Sequence, residues 1–355
     1  HLRKYIVDQR YDRYTWQDHA VWRFIMRNLR DYLSQNAHEC YLEGLQKTGV
    51  DIEKIPRIED ISRNLENFGW RALPVSGFIP PAAFMELQSL SVLPIASDMR
   101  TIDHLEYTPA PDIVHEAAGH APILVNPVFA EYLREYSAVA RKAIISKEDL
   151  DIYEAVRNLS DIKENPESTM EDIQQAEDHL AKVSSQVTHV SEATELSRMN
   201  WWTAEYGLIG SLENPKIFGA GLLSSLGESH SCLLDDVKKI PLSVECLKVS
   251  YDITEPQPQL FVASSFAELS RVLHDMAVKM AFHVGGIEGL EKARKAKTVN
   301  TVQLNSGIEI SGVLSEFLLD KDGNVAYLLL TGPCQLAHDG KELQGHSRQY
   351  HQNGY

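Results

Sequence analysis

Tyr107-Thr108-Pro109-Ala110-Pro111-Asp112-Ile113-Val114-His115-Glu116-Ala117-Ala118-Gly119-His120-Ala121-Pro122 is the stretch on which the fold and chemistry of this chain turn. Thr108 followed by Pro109 has the pattern of a helix cap and a first-turn proline, which predicts a helix starting there. His115 and His120 are five residues apart. On a straight α-helix they would sit about 140° apart around the axis, with roughly 7.5 Å of rise between them. That is poor geometry for sharing one metal. Pro122 offers no N–H to the Ala118 carbonyl, and its ring crowds that turn. Gly119 adds backbone freedom just before His120. The helix is therefore expected to distort or end at His120, so that the second imidazole swings towards the first. A metalloprotease helix reads H-E-x-x-H, whereas His-Glu-Ala-Ala-Gly-His is one residue longer. On this stretch alone two readings stand level: a metal site, and two helical histidines with structural hydrogen bonds.

The whole chain of 355 residues has the composition of a globular protein, with 43% hydrophobic and 24% charged residues. A net charge of −16 argues against nucleic acid and anionic membrane as partners, since both require a basic face. No apolar run approaches the roughly 20 residues that span a bilayer. The four cysteines, Cys40, Cys232, Cys246 and Cys334, show no paired spacing. They fit free thiols in a reducing cytoplasm. The chain opens at His1 without Met or a signal pattern, as expected of a trimmed or partial chain.

The fold class expected is mostly α, or α+β in the broad sense. Val21, Trp22, Ile25, Met26 and Leu29 recur at helical spacing after a Thr15 cap, and a second helix runs from Ser34 to Leu45, closed by Gly49. Ile58–Leu65 and Phe84–Leu90 read as short helices, and 68–75 as an irregular strand. Gly77-Phe78-Ile79-Pro80-Pro81-Ala82-Ala83-Phe84 has a pocket wall and ordinary loop packing as equal readings. A long helix follows Pro127. Residues 146–187 are acidic and read as an exposed helical hairpin broken near Asn165-Pro166. Lys248–Asp252 and Gln259–Ala263 read as strands, and Ser265 to about Phe282 as one helix. From Thr298 the period changes to two, with turn signals at Asn305-Ser306-Gly307 and Asp320–Asn324. The domain organisation expected is 1–297, with 146–187 inserted, and a β module over 298–355 that ends on a polar tail.

A second chemical stretch is Met199-Asn200-Trp201-Trp202-Thr203-Ala204-Glu205-Tyr206-Gly207-Leu208. An acid on an apolar, aromatic helix needs a cation or a metal as partner. Phe218-Gly219-Ala220-Gly221 lacks the spacing of a phosphate loop, and its small residues permit close backbone approach. Two imidazoles and one carboxylate, here His115, His120 and Glu205, make the facial triad of non-haem iron(II) oxygenases. Zinc accepts the same ligands, which keeps a zinc hydrolase as an alternative. The aromatic lining favours iron.

Residues 107–120, Trp201–Leu208 and Gly219-Ala220-Gly221-Leu222-Leu223-Ser224-Ser225, in this order, resemble signatures of the tetrahydrobiopterin-dependent aromatic amino acid hydroxylases. Tyr11-Asp12-Arg13-Tyr14-Thr15 through His19 and Trp22 resembles the start of the catalytic domain in bacterial members. The resemblance covers roughly residues 5 to 290. It implies the catalytic fold of that family, with Fe(II), a tetrahydropterin and O2 acting on an aromatic amino acid. It makes His115, His120 and Glu205 the iron ligands. Arg100 matches the arginine that binds the substrate carboxylate, and Asp112 the acid that orients it. Thr108, Trp201 and Ser224 match substrate-pocket positions. Gly77, Ile79, Phe84 and Glu116 match the pterin site. Ile253 stands where tyrosine hydroxylases favour Asp, and an apolar residue cannot satisfy a phenol hydroxyl. L-phenylalanine, converted to tyrosine, is thus the substrate implied, with tyrosine and tryptophan hydroxylation as alternatives.

The chain also departs from the family pattern. Asn200 stands where Tyr is usual beside the iron, the acidic hairpin looks inserted, and the β module replaces the assembly tail of animal members. No regulatory domain precedes the catalytic start, so activation of the animal kind is not expected. A non-catalytic pterin or amino-acid sensor is a further alternative. Self-association through the hairpin or the β module is open.

Overall fold

The computed structural model describes residues 1–77, 79–105, 111–165, 167–253 and 255–355. The expected cap at Thr108-Pro109, and the pocket role given to Thr108, lie outside the described residues. Helices hold 49% of the chain against 17% in strands, so the expectation of a mostly α chain holds.

Two compact units emerge. The first comprises His1–Arg141 and Leu196–Asp275. Its first long helix is Trp16–Asn36, whose start is fixed by reciprocal hydrogen bonds between Thr15 and Asp18. That helix buries Val21, Trp22, Ile25, Met26, Leu29 and Leu33 along one side. Helices Cys40–Thr48 and Ile58–Leu65 follow. Strand Arg71–Val75 pairs in parallel with Val92–Ala96, and the helix Pro81–Ser89 makes the crossover between them. The chain leaves this pair at Asp98, whose carbonyl accepts the Ile113 N–H at 2.8 Å and so anchors the histidine segment to the sheet. Helix Pro127–Ala140 follows, capped by Asn126. A four-stranded mixed sheet of this unit runs Pro215–Ile217, Leu208–Gly210, Gln259–Ala263 and Lys238–Pro241 in spatial order.

Two expectations are corrected here. Lys248–Asp252 is not a strand. A tight 3₁₀ turn spans Val244–Lys248, and the chain beyond it is irregular. Its groups are committed to the neighbouring helix: the Val249 carbonyl accepts from Trp202 Nε1 at 2.9 Å, and the Tyr251 ring stacks on Trp201. The helix expected over Ser265–Phe282 is two, Phe266–Ala277 and Ala281–Val284.

The second unit comprises Lys142–Glu195 and Met276–Tyr355. The acidic hairpin is present as Lys147–Glu164 and Met170–Ser184, each opened by a reciprocal cap, Ser146 with Asp149 and Thr169 with Asp172. Helix Gly286–Ala296 leads into an antiparallel sheet of Val299–Gln303, Ile308–Leu319, Val325–His338 and the short Lys341–Glu342. The contacts divide the chain elsewhere than at the expected 297/298 boundary. The reason is one shared core: Ile144 packs with Leu290, Ala293, Leu314 and Leu330. Buried Glu192 accepts the N–H groups of Ile144 and Ala281 and the Lys292 ammonium, tying both chain segments together. The polar tail bonds back to the sheet, with Leu330 and Tyr355 exchanging both backbone hydrogen bonds at 3.0 Å.

All four cysteines are free and buried. Among the described residues no helix is long and apolar enough to cross a membrane.

Candidate metal centre

The histidine segment is not a strained α-helix but a π-helix, Val114–His120, followed by a short α turn, Ala121–Ile123. In a π-helix each N–H reaches back five residues, so positions five apart share one face. The Ala121 N–H accordingly donates to the Glu116 carbonyl. The sequence placed the distortion at His120. The structure spreads it over the whole span between the histidines, and the helix continues beyond. The imidazole rings lie 4.8 Å apart at 83°, with their Nε2 atoms 3.1 Å from each other.

Glu205 arrives by the same device. The helix Glu192–Asn200 passes into a second π-helical turn, Trp201–Glu205, in which the Tyr206 N–H reaches the Trp201 carbonyl at 2.8 Å. Glu205 Oε2 is 3.2 Å from His115 Nε2, and Oε1 is 3.3 Å from His120 Nε2. These three residues are the one group of donors among the described residues arranged to hold a metal ion, with ligand atoms within 4.8 Å of one another. Burial raises the Glu205 carboxyl, but His120 and His115 outweigh it and hold it well below the usual carboxylate range.

Close backbone approach packs both π-helical segments against Gly219 and Ala220. A Cβ on Gly119 would lie 2.7 Å from the Ala220 carbonyl oxygen, and one on Gly219 would lie 2.4 Å from that of Glu205. The close approach expected of the small residues near Gly219 is therefore present. Gly119 has no unusual backbone angle, and it serves through its missing side chain rather than its flexibility.

Asp112 organises the entry to the centre. Its carboxylate accepts Arg100 Nε at 2.7 Å, Arg100 Nη2 at 2.8 Å, and the backbone N–H groups of Arg100 and His115 at 3.2 and 3.0 Å. The last of these is a cap on the histidine helix. The ion pair is deeply buried, with side chains 2% and 3% exposed. Burial raises the Asp112 carboxyl, yet the Arg100 guanidinium more than offsets this and lowers it. Arg100 Nη1 also reaches the Ser224 carbonyl at 3.4 Å. Ser224 Oγ donates to the Ala220 carbonyl at 2.7 Å and stands 3.3 Å from His115 Nδ1. With its own proton spent, Oγ accepts from Nδ1–H, which leaves the Nε2 lone pair facing the centre.

Glu116 is buried beside the triad, and its Oε2 has no hydrogen-bond partner. Burial pushes its carboxyl up to about 8, with Glu205 and Asp112 adding to the rise and His120 opposing it. Gly77 donates its N–H to Asp98 Oδ2 at 2.8 Å, at the end of the parallel strand pair. Ile79 and Phe84 are half-buried just before and within the helix Pro81–Ser89. Trp201 lies between two rings, Tyr251 at 4.2 Å and Tyr206 at 4.4 Å. Ile253 sits in a turn two residues after Tyr251, 38% exposed.

The structure thus brings His115, His120, Glu205, Arg100, Asp112 and Ser224 into one bonded group. No described hydrogen bond, ion pair or ring contact joins Gly77, Ile79, Phe84 or Ile253 to it. Sequence reasoning missed Tyr251, Asp98 and the Tyr206–Glu228 hydrogen bond of 2.8 Å. An aromatic in a proline-flanked irregular stretch was the available signal for Tyr251.

Comparison with known proteins places the chain. The family described as biopterin-dependent aromatic amino acid hydroxylase matches residues 8–150 and 173–285. The unmatched 151–172 falls inside the acidic hairpin. The phenylalanine-4-hydroxylase of Mesorhizobium japonicum is 28% identical over 295 residues, covering 82% of this chain and 87% of that protein. The phenylalanine-4-hydroxylase of Pseudomonas aeruginosa is 28% identical over 270 residues, covering 76% and 86%. The crystal structure of Chromobacterium violaceum phenylalanine hydroxylase, with bound iron(III) and 7,8-dihydrobiopterin, matches with a TM-score of 0.61 at 27% identity. That match covers 77% of this chain and 85% of the other.

Proposed function

Because the chain belongs to the family of biopterin-dependent aromatic amino acid hydroxylases, we propose that it is an iron- and pterin-dependent monooxygenase converting L-phenylalanine to L-tyrosine with O2. The observation that carries the proposal is the convergence of His115, His120 and Glu205. Two imidazole Nε2 atoms 3.1 Å apart, both facing one carboxylate, form a donor set that suits a divalent cation with open positions. These three residues would hold Fe(II). When bound, iron and the reduced pterin supply the electrons that activate O2 for insertion into an aromatic C–H bond.

The protein's own part is binding, orientation and exclusion of water. Arg100 receives the substrate carboxylate on the guanidinium edge that Asp112 leaves free, and Asp112 keeps that fork from rotating. Trp201, Ser224 and Ile253 line the substrate side, and the family resemblance adds Thr108 to this set. Trp201 is held rigid between Tyr206 and Tyr251, so it offers a fixed edge to an aromatic ring. Gly77, Ile79, Phe84 and Glu116 form the pterin side, with Phe84 as the stacking ring. The unpartnered buried Oε2 of Glu116 supports this, because a buried carboxyl oxygen left without a partner is a hydrogen-bonding position open to a polar ring such as a pterin. Ile253, lacking a hydrogen-bonding group, favours phenylalanine over tyrosine. All described members of both sets lie in the first unit. We place the protein in the cytoplasm, where four free cysteines stay reduced.

The test is anaerobic reconstitution with Fe(II), followed by tetrahydropterin, O2 and ring-deuterated phenylalanine, with products read by mass spectrometry. Tyrosine formation that requires Fe(II), tetrahydropterin and O2 is expected. Absence of any hydroxylated amino acid from phenylalanine, tyrosine and tryptophan alike would sink the proposal.

A further inference from the structure

We propose that Asn200 is a positioning residue of this centre: its side-chain amide sets the rotation of the Glu205 carboxylate, and through it the affinity of the triad for metal. The inference rests on the reading of His115, His120 and Glu205 as metal ligands. Asn200 is the last residue of the helix Glu192–Asn200, and Glu205 closes the π-helical turn that follows. On a straight α-helix two residues five apart point about 140° away from each other. The π-helical turn removes that offset, and Asn200 Nδ2 donates to Glu205 Oε1 at 3.2 Å. Among the described residues it is the one side-chain N–H donor, apart from the two imidazoles, that reaches this carboxylate.

The terminal torsion of a glutamate is broad and nearly two-fold, so the carboxylate turns easily about its last bond. Left to itself, Glu205 can present either oxygen to either histidine. The amide breaks that equivalence. It occupies Oε1, which also faces His120, and leaves Oε2 turned to His115 without a further donor. A neutral amide does this without adding charge. A lysine or arginine in its place would neutralise the carboxylate and compete with the metal. The same geometry that turns His120 onto His115 thus turns Asn200 onto Glu205. Each π-helical segment brings two members of the centre onto one face.

The experiment uses the full chain, titrated with Co(II) against a competing chelator, and reads both the dissociation constant and the visible absorption bands of bound Co(II). Asn200→Ala is expected to weaken Co(II) binding about tenfold and shift the bands, in line with the usual cost of losing an outer hydrogen bond to a ligand. Asn200→Gln keeps the amide on a longer stem and is expected to recover part of both signals. Unchanged affinity and bands in Asn200→Ala, with wild type binding one Co(II), would overturn the inference while leaving the metal centre intact. Equal loss in the Ala and Gln variants would also overturn it, because packing rather than the amide would then be responsible. Failure of wild type to bind any metal would overturn the metal centre and this inference with it.

Discussion

Ser224 Oγ stands 3.3 Å from Nδ1 of His115 while donating its own proton to the Ala220 carbonyl at 2.7 Å. One hydroxyl therefore fixes which nitrogen of His115 carries the proton. In Ser224→Ala that acceptor is gone, and the imidazole can place its proton on Nε2, the atom that faces His120 and Glu205. We expect metal affinity to fall about tenfold, measured by chelator competition, with folding stability lowered by only about 1 kcal/mol. An unaltered dissociation constant would show that Ser224 does not control the tautomer.

Gly119 approaches the backbone of Ala220 too closely for any side chain. The added methyl of Gly119→Ala meets the Ala220 carbonyl oxygen at 2.7 Å and its Cβ at 3.0 Å. Neither is the flexible end of a side chain, so the helices must separate. Urea unfolding should show a loss of about 1–3 kcal/mol, accompanied by weaker metal binding as His120 moves. Stability within about 0.5 kcal/mol of wild type would contradict the close packing.

The buried pair of Arg100 and Asp112 should contribute to acid sensitivity, alongside Glu205. Burial alone would raise Asp112, but Arg100 lowers it below its ordinary value. A lowered carboxyl contributes its full stabilisation above the unfolded value of about 4, and loses it as pH falls towards the native value. The metal-free protein should therefore weaken below about pH 4. Asp112→Asn should flatten that acid limb and cost about 3 kcal/mol at neutral pH, since Arg100 is left buried without its anion. The same variant should raise KM for the amino acid more than it lowers kcat. An acid limb as steep as that of wild type would assign the sensitivity to other carboxylates.

Tyr251 holds Trp201 from one side at 4.2 Å, nearly parallel, and Tyr206 holds it from the other. Tyr251→Leu should cost about 1 kcal/mol from the lost ring pair, and should raise KM for the aromatic substrate as Trp201 gains freedom. Tyr251→Phe loses only the hydroxyl contact to Ser197 and keeps the stack, so its KM should stay near wild type. Equal effects in both variants would make the hydroxyl, and not the stack, the operative feature.

The sequence by itself determined the donor chemistry. Two histidines beside a glutamate, an acid on an aromatic helix, and an arginine preceding an aspartate are statements about residue type, and residue type decides which ions and carboxylates can be bound. Helix positions were also legible, as with the Thr15 cap or the acidic hairpin with its break near Asn165-Pro166, whereas the reciprocal partners of the caps came from the structure. What stayed hidden was geometry that depends on long-range contact. A π-helix differs from an α-helix by a single register of hydrogen bonds, and local propensity does not separate the two. The separation comes from Gly119 against Ala220 and Gly219 against Glu205, contacts across about a hundred residues of chain in one case and a β-hairpin in the other. The stack on Trp201 likewise joins residues fifty apart in sequence. The shared core of Ile144 with Leu290 and Leu330 is a third instance, since apolar periodicity identifies faces but not which face meets which. Chemistry was written in the residues, whereas the 3.1 Å approach of His115 to His120 and the contacts that build each unit were decided only when distant backbones packed.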